Sequence, residues 1–274
     1  MDQIAIVILN HVAYRETEKC VDSIIEKKLD IAGIVVVDNA SDNESFMYLK
    51  RKYQDNDKIK IVRTRENLGF AKGNNIGIRV ARAAWKTKFI LLLNSDTQIL
   101  EGDYLVKILN EYENGIGLMM TNVLRLNGRL TQKSSEPYDL LGVCLKIVKE
   151  KFDYFNIYFP KMIKRAVKDT VGPWISGCDI LLTPDYFKVF HGLYPLTFLY
   201  GEEYILSIML KKAKLESRIV ENAYILHAES KSTPINLIEG TKTKRRELLK
   251  SRKHILFVRL MPLSILRWIV NYEK

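Results

Sequence analysis

Short apolar runs rich in β-branched residues alternate with helix-length segments through the first hundred positions. Ile4–Leu9, Gly33–Val37, Lys58–Val62 and Phe89–Leu93 read as strands, and Thr17–Lys28, Asn43–Tyr53 and Ala71–Trp85 as helices. Alternation at this spacing predicts βαβ units: an α/β fold whose central sheet is mostly parallel, Rossmann-like, with helices on both faces. Right-handed crossovers then bring the carboxyl ends of the strands to one edge, where open α/β sheets bind their ligands. The tips that the pattern puts there are polar: Asn10, Asp38 with Asn39, Arg63, and Asn94 with Asp96.

After Glu101 the alternation weakens. Gly115–Leu124 and Trp174–Leu182 read as strands, Pro184–Phe190 as a short helix and Glu202–Lys212 as a longer one, with Leu215–Val220 and Ala223–Leu226 as two closing strands. Between them, 133–171 is irregular, basic and aromatic. No repeat or linker interrupts the chain, so residues 1–240 read as one domain. Residues 241–274 form a small helical tail. In it a basic stretch precedes an apolar segment broken by Arg259, Pro262 and Arg267. Such a segment either lies in a bilayer interface or packs on the domain with a solvated basic face.

Composition narrows the classes. Hydrophobic residues make up 47% and charged residues 27%, which is globular. With 43 Lys and Arg against 32 Asp and Glu, the net charge is +11, which suits nucleotide phosphates, an anionic membrane face or nucleic acid. No nucleic-acid-binding motif appears, and the basic residues are dispersed outside the tail. Cys20, Cys144 and Cys178 are odd in number and form no C-x-x-C, which fits a reducing compartment. The start, MDQIAIVILN, reads as a strand instead of a secretory signal, and no uncharged apolar run reaches about 18 residues. The expectation is a cytoplasmic protein with possible peripheral contact at the inner membrane face.

Five stretches carry candidate chemistry. In VVVDNASDN, Asp38 ends a strand, where a carboxylate accepts from a ribose or a base N–H. Asp42 or Ser41 is equally a helix N-cap there. ENLGFAKGNNIGI spaces Gly69, Gly73 and Gly77 by four, with Asn67, Lys72, Asn74 and Asn75 among them. This allows either close backbone approach to a ligand or close helix packing. In LLLNSDT, Asn94 and Asp96 offer hard oxygens to a divalent cation whose remaining sites take phosphate oxygens and water. FLYGEEYIL opens a helix with Glu202 and Glu203, which suit the positive dipole end or a general base whose pKa is raised by apolar surroundings. His227 follows an apolar strand and is either a structural histidine or a contact to metal or phosphate.

These stretches, in this order, resemble the family 2 glycosyltransferases with a GT-A fold, most closely a bacterial, rhamnosyltransferase-like branch of surface-polysaccharide assembly. The likeness covers roughly residues 4–230 and implies that the 1–240 domain is catalytic, with a nucleotide-binding half (1–100) and an acceptor-binding half (101–240). It implies that Asp38 lies near a uracil or thymine base and that NLGFAKGNN lines the nucleotide-sugar pocket. It further implies that Asp96 binds Mn²⁺ or Mg²⁺ with help from His227, that Glu203 is the base, and that Trp174, Gly177 and Asp179 face the acceptor. The implied activity is inverting, metal-dependent transfer from a UDP- or dTDP-sugar to a hydroxyl of a glycan or lipid-linked saccharide, with no nucleic-acid partner. Three positions depart from the family pattern: Asn94 in place of a first Asp, Glu203 where Asp is commoner, and Ile205 in place of a further acid. The rival readings are a catalytically degenerate scaffold of the same fold and a sugar nucleotidyltransferase. The latter would favour a Gly-rich phosphate loop beside the first strand, where ILNHVAYRE has none.

Overall fold

The computed structural model describes residues 4–131, 177–228 and 242–272, with 144, 147, 148 and 151. Nearly all of the 133–171 stretch, and Trp174, lie outside the described residues. The first half follows the predicted alternation. Strands β1 (Ile4–Asn10), β2 (Gly33–Asp38), β3 (Ile59–Arg63) and β4 (Phe89–Asn94) are parallel in the order β3-β2-β1-β4. Helices α1 (Tyr14–Glu26), α2 (Ser45–Lys52) and α3 (Gly69–Trp85) connect them.

Side-chain alternation sorts the core into two layers. Ala5, Val7, Val35 and Leu92 face one side, where Ala71 and Ile78 of α3 join them. Ile6, Ile8, Val36 and Leu93 face the other, with Val21 of α1 and Leu49 of α2. The four-residue glycine spacing serves packing on the first side. A Cβ at Gly77 would sit 2.2 Å from Val7 Cγ1, and one at Gly73 2.5 Å from Leu9 Cδ1.

Beyond β4 the expectation of a mostly parallel sheet is corrected. The chain continues through β5 (Thr97–Ile99), α4 (Tyr104–Asn110), β6 (Ile116–Arg125), β7 (Leu130–Thr131), β8 (Asp179–Leu182), α5 (Pro184–Phe187), α6 (Glu202–Ala213) and β9 (Glu216–His227). The sheet order is β3-β2-β1-β4-β8-β6-β9-β5, with β7 on β6. β8 runs antiparallel to both β4 and β6, and β5 antiparallel to β9. A strand buried on both faces reads the same in either direction, so its apolar run carried no information about direction. β5 follows β4 after two residues yet pairs across three intervening strands, so the mixed sheet curls into a half-barrel. The two predicted closing strands are one, β9, which shifts register on β6 between Thr121 and Asn122; there Asn122 Nδ2 donates to Glu221 O at 2.6 Å.

The tail forms α7 (Lys242–Leu260) and α8 (Leu263–Asn271), and it packs on the domain. Ile255, Val258, Met261, Leu266 and Val270 are buried in the same layer as Ile205, Leu206 and Met209 of α6. Lys212 Nζ donates to Met261 O at 2.9 Å, and Asn271 Oδ1 accepts from His191 N at 2.8 Å. Among the described residues no helix is long and apolar enough to cross a membrane.

Candidate active site

The register of the parallel strands sets the polar tips side by side, with Asn10 opposite Asp38 and Leu9 opposite Asn94. Asp38 is fully buried. Its Oδ1 accepts from Asn10 Nδ2 at 2.8 Å and from Ser41 Oγ at 2.5 Å, and Arg63 Nε stands 3.5 Å from Oδ2. Thr17 Oγ1 donates to Asn10 Oδ1 at 2.9 Å, so α1 fixes the amide that holds the carboxylate. Ser41 also accepts from Val12 N, and Arg63 Nη2 donates to Ser41 O. Neither Ser41 nor Asp42 caps α2: Asn43 Oδ1 accepts from Ser45 N at 3.1 Å, and Asp42 is exposed. A run of polar residues such as Ser41-Asp42-Asn43 does not reveal which one turns inward.

Asn39 ties this tip to the glycine segment. Its Nδ2 donates to Asn67 Oδ1 at 3.0 Å and to Gly69 O at 3.2 Å, while its Oδ1 accepts from Leu68 N at 2.9 Å. Gly69 has φ +78°, and a Cβ there would meet Phe198 O at 2.2 Å, so this glycine is required both by conformation and by close approach. Lys72 is half-buried on the first turns of α3. Asn74 Nδ2 donates to Phe70 O one turn back, so it serves its own helix. Asn75, which the sequence did not distinguish from its neighbour, clamps Leu193 by accepting from its N–H at 2.7 Å and donating to its carbonyl at 2.9 Å.

Asp96 lies in the two-residue link between β4 and β5. Because β5 pairs with β9, Thr97 stands opposite His227, and His227 Nε2 comes to 3.2 Å from Asp96 Oδ1 across 131 positions of chain. Asn94 N donates to Cys178 O at 3.0 Å, which joins the tip of β4 to the Gly177–Asp179 segment.

That segment leads to the glutamates. Tyr200 and Gly201 are both left-handed, at φ +75° and +89°, and they turn the chain into α6. Glu203 lies against Gly177, where a Cβ would be 2.4 Å from its Oε1. A small apolar pocket lined by Phe70, Ile180, Leu193, Tyr194, Leu206 and Met209 adjoins the pair. Burial raises the Glu202 pKa, and the Glu203 charge adds to the rise. Burial also raises that of Glu203, against the opposing effects of a hydrogen bond from its own backbone N–H and, after it, of the Arg252 charge on α7. Ile205, where the family pattern carries an acid, is core, 1% exposed.

Asp179 is wholly buried. Its Oδ2 accepts from Thr121 N at 2.7 Å, Thr121 Oγ1 at 2.6 Å and Tyr104 OH at 3.4 Å, while Oδ1 has no hydrogen-bond partner among the described residues. Burial pushes its pKa up to about 7.

Asp38, Asp96, His227, Glu203 and Gly177 thus share one edge of the curled sheet. Among the described residues no group of three or more His, Cys, Asp or Glu side chains could hold a metal ion. Asp96 and His227 could supply two ligands, a set that would suit Mg²⁺ or Mn²⁺ were substrate phosphate and water to complete it.

The family model for glycosyl transferase family 2 matches residues 4–171. Over 103 residues, 38% of the chain, the sequence is 29% identical to the low-salt glycan biosynthesis hexosyltransferase Agl10 of Haloferax volcanii, a match spanning 31% of that protein. Among solved structures, S. aureus TarS 1–349 in complex with UDP aligns at a TM-score of 0.53 with 14% identity, covering 84% of this chain and 61% of that one. The mannosyltransferase PcManGT of Pyrobaculum calidifontis, in complex with GDP-Man and Mn²⁺, gives 0.55 and 13%, covering 82% and 56%. At these identities the likeness is one of fold, and the chain spans less than two thirds of each of these proteins.

Proposed function

The chain belongs to glycosyl transferase family 2, and from this membership and the cleft we propose that it transfers a sugar from a nucleotide diphosphate to an acceptor hydroxyl with inversion at the anomeric carbon. The donor is a UDP- or dTDP-sugar. The acceptor is a glycan or lipid-linked saccharide of bacterial surface-polysaccharide assembly, as in a rhamnosyltransferase-like branch. The observation that carries this reading is the meeting of Asp96 with His227 on the sheet edge that also holds Asp38 and, across Gly177, Glu203.

Asp38, held by Asn10 and flanked by Asn39, takes the base and ribose. Asn67, Gly69 and Lys72 line the path of the diphosphate-sugar, and Asn94 borders it. Asp96 and His227 are the residues that would hold Mn²⁺ or Mg²⁺; when bound, the cation supplies charge neutralisation at the leaving diphosphate. Glu203 accepts the proton of the acceptor hydroxyl as its oxygen bonds to the anomeric carbon and the bond to the diphosphate breaks on the opposite face. A carboxylate with a raised pKa is a stronger base than a solvated one, and the apolar pocket beside it provides that. Glu202 contributes burial and charge to the pair. Gly177 leaves room for Glu203, and Trp174 remains an acceptor-side candidate. Asp179, bonded to Thr121 and Tyr104, serves the acceptor side by holding the segment that carries Gly177.

The exposed face of the tail carries Phe257, Leu260, Ile265, Trp268 and Tyr272. We assign it to peripheral contact with an anionic bilayer at the cytoplasmic membrane face. The enzymatic reading is tested by a thermal-shift screen of UDP, dTDP, GDP and their sugars with and without Mn²⁺. One nucleotide should stabilise the protein, and more so with the metal. No response to any of them would favour a scaffold of the same fold. Turnover of Glu203→Gln should be nearly abolished; wild-type turnover would remove Glu203 as the base.

A further inference from the structure

The C-terminal helix α7 packs directly behind the turn that presents the glutamates. Ser251 Oγ donates to Leu199 O at 2.9 Å, and Ile255 Cδ1 lies 3.1 Å from where a Cβ on Gly201 would be. His254 Nδ1 is 3.1 Å from Tyr194 OH, whose ring helps line the apolar pocket beside Glu202 and Glu203. Among these three anchors, Arg252 sets its guanidinium 5.4 Å from the centre of the ring of Tyr204, the residue that follows Glu203. Three consecutive turn-facing contacts leave α7 little freedom to slide, so the Arg252 charge is held at a fixed place relative to the helix start.

We propose that Arg252 is a positioning residue for Glu203: the tail, anchored on the turn that starts α6, supplies a fixed counter-charge that favours this carboxylate as an anion. The inference rests on the reading of Glu203 as the base. Other titratable groups of the described residues around the glutamate are Glu202 beside it, Tyr200 and Tyr204 on the same turn and helix, Tyr194 across the pocket, and His254 on α7. Glu202 repels a second negative charge. Burial keeps Tyr194 and Tyr200 protonated and favours the neutral form of His254. Arg252 is the cation that α7 brings to bear, and its pull on Glu203 opposes the burial that disfavours the charged form.

The test reads the carboxyl itself and needs no knowledge of the donor. Full-length protein labelled with ¹³C at Glu Cδ is titrated by NMR, with the Glu203 resonance assigned by its loss in Glu203→Gln. Arg252→Met should raise the Glu203 midpoint by about one pH unit, as loss of a nearby opposite charge does. Arg252→Lys should keep the midpoint near that of the wild type, and it serves as the folded comparison if the Met variant fails to fold. In that case Arg252→Gln takes its place. An unmoved midpoint in a folded, charge-removed variant would overturn the inference. Turnover separates the two claims. An inactive Glu203→Gln with an unmoved midpoint rejects Arg252 alone, whereas an active Glu203→Gln rejects the base reading and with it the positioning role.

Discussion

Glu203 and Gly177 touch so closely that a single added methyl decides where the carboxylate lies, since a Cβ at 177 would be 2.4 Å from Glu203 Oε1. The clashing atom is the free end of a flexible side chain, so Gly177→Ala displaces the carboxylate more than it strains the fold. Turnover should fall about a hundredfold, the scale expected for an ångström-sized misplacement of a reacting group, with the melting temperature nearly unchanged. Gly77→Ala is the contrasting control. There the clash is with Val7 Cγ1 at 2.2 Å, inside a packed helix–sheet contact. Overpacking should cost about 1–3 kcal/mol of stability and lower activity only as far as it unfolds the protein. Equal losses of activity in both folded variants would separate Glu203 from the chemistry.

Asp96→Asn preserves shape and can still accept from His227, but it removes the charge that draws a cation. The variant should fold normally and bind nucleotide weakly through the Asp38 side of the cleft, while the additional stabilisation by Mn²⁺ disappears. Calorimetric titration of Mn²⁺ in the presence of UDP should show affinity lowered on the order of a hundredfold, at least the upper range seen when mere supporting partners of a metal ligand are removed. Removal of the metal with a chelator should bring wild type and variant to the same nucleotide affinity. Undiminished Mn²⁺ affinity in Asp96→Asn would exclude this carboxylate as a ligand.

The first half was readable because each of its signals is local. β-branched runs, glycines four apart and polar tips sit within single βαβ units, and the elements fall within a few residues of where the pattern placed them. The second half depended on distant pairings. No local feature of TQI announces a strand, and Thr97–Ile99 becomes one because β9 arrives beside it. Direction was equally hidden in DILL, which is buried throughout and pairs antiparallel on both sides. Arg252 escaped notice because it lies in a basic run whose members look alike in sequence, and only packing of α7 on the Tyr200–Gly201 turn singles it out. Asp179 was readable as a special residue but not as a buried one: a carboxylate between Cys178 and Ile180 signals function or burial equally well.

The buried Asp179 gives the protein a specific pH signature. In the unfolded chain its carboxyl ionises near 3.9, whereas burial pushes the folded value up to about 7. Between these values the folded state holds a proton that the unfolded state has lost. Stability contributed by this group is therefore full below the unfolded pKa and declines as pH rises toward 7, by at most about 4 kcal/mol. Asp179→Asn imitates the protonated acid, and its Oδ1 can keep the bonds from Thr121. Urea midpoints at pH 5 and pH 7.5 should differ less in the variant than in the wild type. An identical pH dependence in both would show that this carboxyl does not titrate in the folded protein over that range.

The tail separates into a face that holds the fold together and a face that does not. Ile255, Val258, Met261, Leu266 and Val270 are buried against the domain, and each such side chain is worth about 1.5–3 kcal/mol. Deletion of residues 242–274 should therefore unfold or precipitate the protein, which makes deletion a poor probe of membrane contact. Trp268 and Tyr272 are 62% and 70% exposed and stack on each other at 6.0 Å. Changing both to Ser should leave the melting temperature unchanged. It should also lower co-sedimentation with vesicles rich in anionic lipid, because aromatic insertion is lost while the basic residues of the tail remain. Salt should then release the variant more readily than the wild type, since only the screened electrostatic part of the attraction is left. Co-sedimentation equal to that of the wild type at every salt concentration would rule out this aromatic pair as the contact.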